Sequence, residues 1–230
     1  MDWNMLTEWE TNRLWYMDMP YKKYGMSHIH RMIVIKLQDG SLIIHNPVEL
    51  TIHLQTELTR LGKVSAVISP SMTYHQTLSE WWLTYSQAMF YATPSLISLR
   101  SDINFDGALS SHSPATWKGE LLQTPLLGSD KPRKFVFCDP QSNTLILADN
   151  LQAAQPHLPT GQKLLARLQG LDQKLCYPDS DRTHITQMNR LRLSVQEIMT
   201  WPFDRLLSSN GLIVEQNAKD AFYQAFWWAF

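Results

Sequence analysis

An α/β (α+β) architecture follows from three features of this chain. Two Asp-led turn segments, Asp39-Gly40 and Asp139 to Asn143, each separate a pair of apolar runs, the pattern of a β-hairpin. Leucines at helical spacing follow the first hairpin (Leu50, Leu54, Leu58, Leu61), and a second such stripe (Ile185, Met188, Leu191, Val195, Ile198) comes late. No low-complexity linker divides the 230 residues. They read as one domain, 1–230, with 1–13 as an N-terminal extension, long enough to bury a substantial core.

In order, Leu14 to Met19 reads as a strand stopped by Pro20. Arg31 to Leu37 and Ser41 to His45 flank Asp39-Gly40. Glu49 to Leu61 is a helix with Gly62 as its C-terminal stop. Lys63 to Ser69 is the next strand, Leu78 to Tyr85 a helix, and Met89 to Ala92 a short strand. Pro94 opens a short helix to Leu99. Asn104 to Glu120 reads as short strands and turns. Arg133 to Cys138 and Thr144 to Ala148 form the second hairpin, and Gln152 to Thr160 a polar connection. Gly161 to Leu175 and Thr183 to Trp201 are helical, the latter broken at Pro202. Asp204 to Ser208 is a strand. Asn217 caps a last helix, with Asp220 in its first turn.

Composition narrows the function classes. The net charge is −1 and the 20 basic residues are scattered, so nothing marks a nucleic-acid or anionic-membrane partner. The densest basic run (Lys131, Arg133, Lys134) reads as a solvated strand entrance. No window is apolar and long enough to span a bilayer, and Met1 to Glu10 is no signal peptide. Cys138 and Cys176 lie outside any zinc-finger spacing. Cys138 reads as a small core residue on an apolar strand, and a reducing, cytoplasmic compartment fits. Nine tryptophans are many. Phe222, Phe226, Trp227, Trp228 and Phe230 close the chain with more aromatic surface than one packing face needs. That surface offers a contact for a partner or a second copy.

The segment with most chemical promise is Pro70 to His75. It follows an apolar strand, so a rigid scaffold presents an open polar loop. His75 is its one strong ligand or base.

The order hairpin, βα units, second hairpin and closing βα resembles the metallo-β-lactamase layout. Local sequence agrees at Arg31-Met32, Leu42 to Val48, Asn104 to Gly107, Trp117 to Glu120 and Thr144 to Asp149. These pieces look like an uncharacterised, domain-of-unknown-function branch of that superfamily, from roughly Leu14 to the C-terminus. The resemblance implies a four-layer αββα sandwich. It also implies where ligands would fall. Metal-dependent members carry His-x-His-x-Asp-His after the first βα unit. The pattern lands on Pro70, Met72, Tyr74 and His75, so only the last ligand type is present. A histidine expected near Gly128-Ser129 is missing. Asp149 matches a metal-bridging aspartate, Asn210 before Gly211 stands in place of a last histidine, and His45 stands where a supporting aspartate lies.

A catalytic zinc takes about three protein ligands plus water. His75 and Asp149 supply two, and His45 a third if its ring points inward. Met72 and the protonated phenol of Tyr74 replace imidazole poorly. No cofactor is therefore expected; zinc or iron, if held, would sit on His75, Asp149 and His45. The first function class is a small-molecule- or protein-binding scaffold that keeps the fold without the metal chemistry. The alternative is a hydrolase with a reduced mononuclear or metal-free site, His75 and Asp149 acting as base and orienter and Ser71 as the nearest nucleophile.

Each residue has a plainer account. His75 is also a loop histidine bonded to backbone, Asp149 a cap that ends the hairpin, and His45 a strand-end residue before Pro47. Ser71 lacks a strained elbow around it. His28 and His30 share one strand face and read as a solvated entrance. Glu80 beside Trp81-Trp82 reads as the exposed side of an amphipathic helix, and the Met-rich start as packing.

Overall fold

A computed structural model describes residues 5–23, 26–129, 134–153 and 175–230. The first sheet holds β1 (Thr7–Glu10), β2 (Leu14–Lys23), β3 (Met26–Lys36), β4 (Leu42–His45), β5 (Val64–Ser69), β6 (Met89–Ala92) and β7 (Gly107–Ala108), side by side in chain order. Strands β1 to β4 pair antiparallel, and β4 to β7 parallel. Parallel neighbours need crossovers. Helices α1 (Ile52–Leu61), α2 (Leu78–Thr84) and α3 (Pro94–Leu99) supply them.

The second sheet runs in the order β14-β13-β10-β9-β8. Its strands are β8 (Leu122–Pro125), β9 (Phe135–Asp139), β10 (Thr144–Leu147), β13 (Arg205–Ser208) and β14 (Ile213–Val214). A separate two-stranded pair joins β11 (Gln152–Ala153) and β12 (Leu175–Cys176). Helices α4 (Asp179–Arg182), α5 (Met188–Met199) and α6 (Ala218–Phe226) complete the described elements.

Strand alternation makes the layers. On β3, Ile33 and Ile35 turn inward to meet Phe135, Phe137, Ile146 and Leu207 of the second sheet. Met32 and Val34 turn outward to pack with Leu54, Leu58 and Trp81 of α1 and α2. On the second sheet Val136, Cys138, Leu145 and Leu147 face Leu191 and Val195 of α5 and Phe222 and Phe226 of α6. The period-two pattern thus feeds three apolar layers, each buried Ile, Leu or Phe contributing about 1.5–3 kcal/mol. The four-layer αββα expectation holds.

Several local expectations change. Strand β2 runs through Pro20, because β1 pairs only as far as Tyr16. Beyond it β2 is an edge, where a missing N–H costs little. Thr51, not Glu49, starts α1: its side chain accepts from Leu54 N at 3.1 Å. Gly62 ends that helix in an extended conformation. A glycine is needed there for close approach, since a Cβ would lie 2.2 Å from the Gly40 carbonyl oxygen. Thr183 to Gln187 is not helical. The Thr186 and Gln187 amides both donate to Gly128 O at 2.9 Å, drawing the segment onto that glycine and delaying α5 to Met188. Asn217 has a left-handed backbone and no capping side-chain bond; Asp204 Oδ1 accepts its N–H at 2.9 Å. Strands β8 and β14 went unread. The helix expected over Gly161 to Leu175 lies outside the described residues, apart from Leu175 itself in β12.

Cys138 is buried, and burial pushes its thiol up to about 12, as a core residue should behave. Of the closing aromatics, Phe222 and Phe226 are core, while Trp227 and Phe230 are exposed. Among the described residues no helix is long and apolar enough to cross a membrane.

Candidate functional site

The loop after β5 is fixed by its backbone. Phe135 N donates to Pro70 O at 2.9 Å, so the end of β5 in one sheet meets the start of β9 in the other. The buried Ser71 Oγ accepts from Thr73 N at 3.1 Å and closes a local turn. Tyr74 follows with φ of 62°, a left-handed conformation that is uncommon for a bulky residue. Its ring stacks on His30 at 4.3 Å and meets Tyr21 edge-on at 5.9 Å. Burial raises the Tyr74 phenol far above its ordinary value, keeping it protonated.

This turn aims Thr73 at the second sheet. Thr73 Oγ1 donates to Asp149 Oδ2 at 2.7 Å. Lys134, just before β9, donates from Nζ to Asp149 O at 2.8 Å and to Asp181 Oδ2 at 2.6 Å. The same ammonium lies 3.5 Å from Asp149 Oδ1, which makes no hydrogen bond among the described residues. Asp181 belongs to α4. One lysine therefore ties the hairpin's end to the helix region, with 17% of its side chain exposed. Thr73, Lys134, Asp149, Asp181 and His184 stand in the wall of a cavity of about 780 Å³. An apolar recess lined by Leu126, Tyr177 and Ile185 adjoins it, sharing Lys134 and Asp181. Thr73 also lines a second cavity, about 340 Å³, with Met19, Tyr21, His30 and Tyr74.

The expected site residues have separate partners. Arg100 Nη1 donates to His75 O and lies 3.4 Å from His75 Nδ1. Burial, then the Arg100 charge, lowers the His75 imidazole. Arg100 is itself held by Asp102, at 2.8 Å from both Nε and Nη2. His45 points inward, between the sheets, edge-on to Phe137 at 5.3 Å. It is fully buried, both ring nitrogens lack partners among the described residues, and burial pushes it down to about 3. Asn210 donates from Nδ2 to Leu151 O at 2.7 Å. The following Gly211 has φ of 91°, and a Cβ there would lie 2.9 Å from Ile29 Cβ. Among the described residues no group of three or more His, Cys, Asp or Glu side chains is placed to hold a metal ion. For a zinc or iron centre these donors do not fit: two carboxylates share a lysine, and both histidines are bonded or packed elsewhere.

Two readings of the sequence need correction. Lys134 is no solvated entrance, because its charge is paired twice. His28 and His30 are half-buried rather than a solvated entrance. His28 stacks on Tyr21 at 5.3 Å, and burial pushes His30 down to about 4 despite a bond to Asn46 backbone. Thr73, Lys134 and Asp181 went unnoticed as site residues. Thr73 carried a signal as part of the Pro70 to His75 loop, and Lys134 by its place at the mouth of the second hairpin; Asp181 carried none.

No family model and no curated protein matches the sequence. Solved structures do. A metallo-β-lactamase from Pontibacter korlensis is 10% identical with a TM-score of 0.64, over 97% of this chain and 98% of that one. The FIM-1 metallo-β-lactamase from Pseudomonas aeruginosa, in its mono-zinc form, is 10% identical with a TM-score of 0.63, over 98% and 95%. The Flv1 flavodiiron core from Synechocystis sp. PCC6803 is 11% identical with a TM-score of 0.65, over 98% of this chain and 60% of that one. The likeness spans nearly the whole of this chain in all three comparisons: the chain has the metallo-β-lactamase fold.

Proposed function

We propose that this protein is a binding or scaffold member of the metallo-β-lactamase fold, in which an internal ammonium serves where metal-dependent relatives hold a cation. The observation that carries this is Lys134 Nζ seated against Asp149 and Asp181, with Thr73 on the other Asp149 oxygen. A divalent ion entering there would have to displace a lysine already neutralising the carboxylates, and like charges close together repel strongly at low dielectric. The zinc of FIM-1 and the flavodiiron core of Flv1 belong to those proteins; the described donors here support a cavity that binds by hydrogen bonds.

The hydrolase reading requires His75 and Asp149 to work as a pair. Their partners differ, His75 with Arg100 and Asp149 with Thr73 and Lys134, which favours the binding reading. Metal analysis of protein purified without a histidine tag tests it. The expected result is far less than one equivalent of zinc, iron or manganese after dialysis. A tightly retained stoichiometric metal overturns the proposal.

A further inference from the structure

The last helix, α6, is apolar on two sides. Its inner face, Phe222, Ala225 and Phe226, is buried against the second sheet. Trp228, in the closing turn Trp227–Ala229, also packs inward, its ring 5.7 Å from that of Tyr177. The outer face runs Asp220, Tyr223, Gln224 and Trp227, all exposed, at the i, i+3, i+4 and i+7 spacing of one helical side. Phe230 continues it, its ring 5.8 Å from that of Tyr223. Tyr223, Trp227 and Phe230 remain 39%, 69% and 48% exposed. A helix at the surface of a domain needs one apolar stripe for the core and a polar side for water. The core uses the first stripe here, and the three outer rings form a second one.

Opposite charges stand at the two ends of this second stripe. Asp220 lies at its start, in the first turn of α6. At its far end Arg192 of α5 donates from Nε to the Ala229 carbonyl and from Nη1 to Asn189 Oδ1 at 3.2 Å. Among the described residues neither of those acceptors is a carboxylate, so the guanidinium charge is not neutralised by them.

From this arrangement we infer that two copies of this chain pair through the outer face of α6, antiparallel about a two-fold axis. An isologous contact requires a surface that complements itself. Antiparallel helices set the start of each stripe against the end of the other, so Asp220 meets the partner's Arg192 and Tyr223 meets the partner's Trp227. A parallel pair would set Asp220 against the partner's Asp220 and is disfavoured by like charge. The net charge of −1 leaves little general repulsion between copies. At roughly 200 Å² for a whole aromatic side chain, the three rings offer about 300 Å² per copy. That is the apolar centre of a small interface of about 1,200 Å² in total, the size of a reversible contact rather than an obligate one. The inference makes no demand on the cleft or on metal content, so its failure is distinguishable from that of the metal analysis.

The test is sedimentation of the unaltered full chain from about 1 to about 200 µM, since mass action makes a reversible dimer grow with concentration. The mass is expected to rise from one chain towards two across that range. Trp227→Ser is expected to weaken pairing at least about tenfold, and Asp220→Arg, which sets like charges together, about tenfold. Both side chains are exposed, and folding is checked by circular dichroism. A monomer at every concentration overturns the inference, whether the face is bare or another part of the same chain covers it. So does a dimer that both substitutions leave unchanged. Because the concentration series is read on the unaltered protein, a misfolded variant leaves the test intact.

Discussion

Two cations in this protein are each clamped by two carboxylates, and they do opposite things. At one end of the sandwich Arg13 donates to Asp139 from Nε and Nη2, to Glu120 from Nη1, and to the Lys36 carbonyl. Asp139 is fully buried, and the planar guanidinium spends its donors on fixed acceptors. At the other end Lys134 holds Asp149 and Asp181, whose side chains stay 22% and 27% exposed and face a cavity. The charge arithmetic is the same. Arginine's fork closes its site into a cross-link between the turn after β1 and the end of β9, whereas lysine's single nitrogen leaves an acceptor over and the site open.

The largest expected effect comes from breaking the closed end. Asp139→Ala strands a buried guanidinium and is expected to cost roughly 3–5 kcal/mol, read as a lowered urea midpoint with unchanged slope. A loss below about 1 kcal/mol would mean that the two ends are equally soft.

Acid probes the open end next. His45 titrates at about 3 when folded against an ordinary 6.5, so the unfolded chain binds a proton that the native one refuses. That stability is complete above about pH 6.5 and drains as pH falls through the folded value, amounting to about 2 kcal/mol lost by about pH 5. His30, at about 4, adds in the same direction. The His45→Leu variant is expected to flatten this part of the pH–stability curve, also measured by urea titration; an unchanged slope refutes the assignment.

Lys134→Met removes the open end's cation while keeping its stem. With both carboxylates reaching cavity water, the expected loss is about 1 kcal/mol, well below that for Asp139→Ala. Smallest is Thr73→Val, which deletes one hydrogen bond to Asp149 for about 0.5–1.5 kcal/mol, seen as a slight fall in melting temperature.

The layers were legible because their causes are local. Alternation on β3, β9 and β10, the Asp39-Gly40 turn and the Leu54–Leu58 stripe all act within a few residues, and the structure keeps them. Short pairings were not. Strands β8 and β14 exist because a neighbour offers an edge, and Thr183 to Gln187 yields its helical tendency to a distant carbonyl at Gly128. The site was harder still. Asp149 was named from a family pattern and does line the cavity. Its partners Thr73 and Lys134 lie 76 and 15 positions away, Asp181 joins through Lys134 from 47 positions further on, and no spacing rule connects them. His75 looked best on paper, yet Arg100 on the loop after α3 engages it.

The bond from the Phe135 amide to the Pro70 carbonyl has an evolutionary consequence. It is made by main-chain atoms, so every amino acid except proline at position 135 can supply it. The loop bearing Met72, Thr73 and Tyr74 therefore keeps its address while its lettering is rewritten. A thioether at 72 or a phenol at 74 can stand there without touching that main-chain bond, so the loop's position does not depend on which side chains it carries.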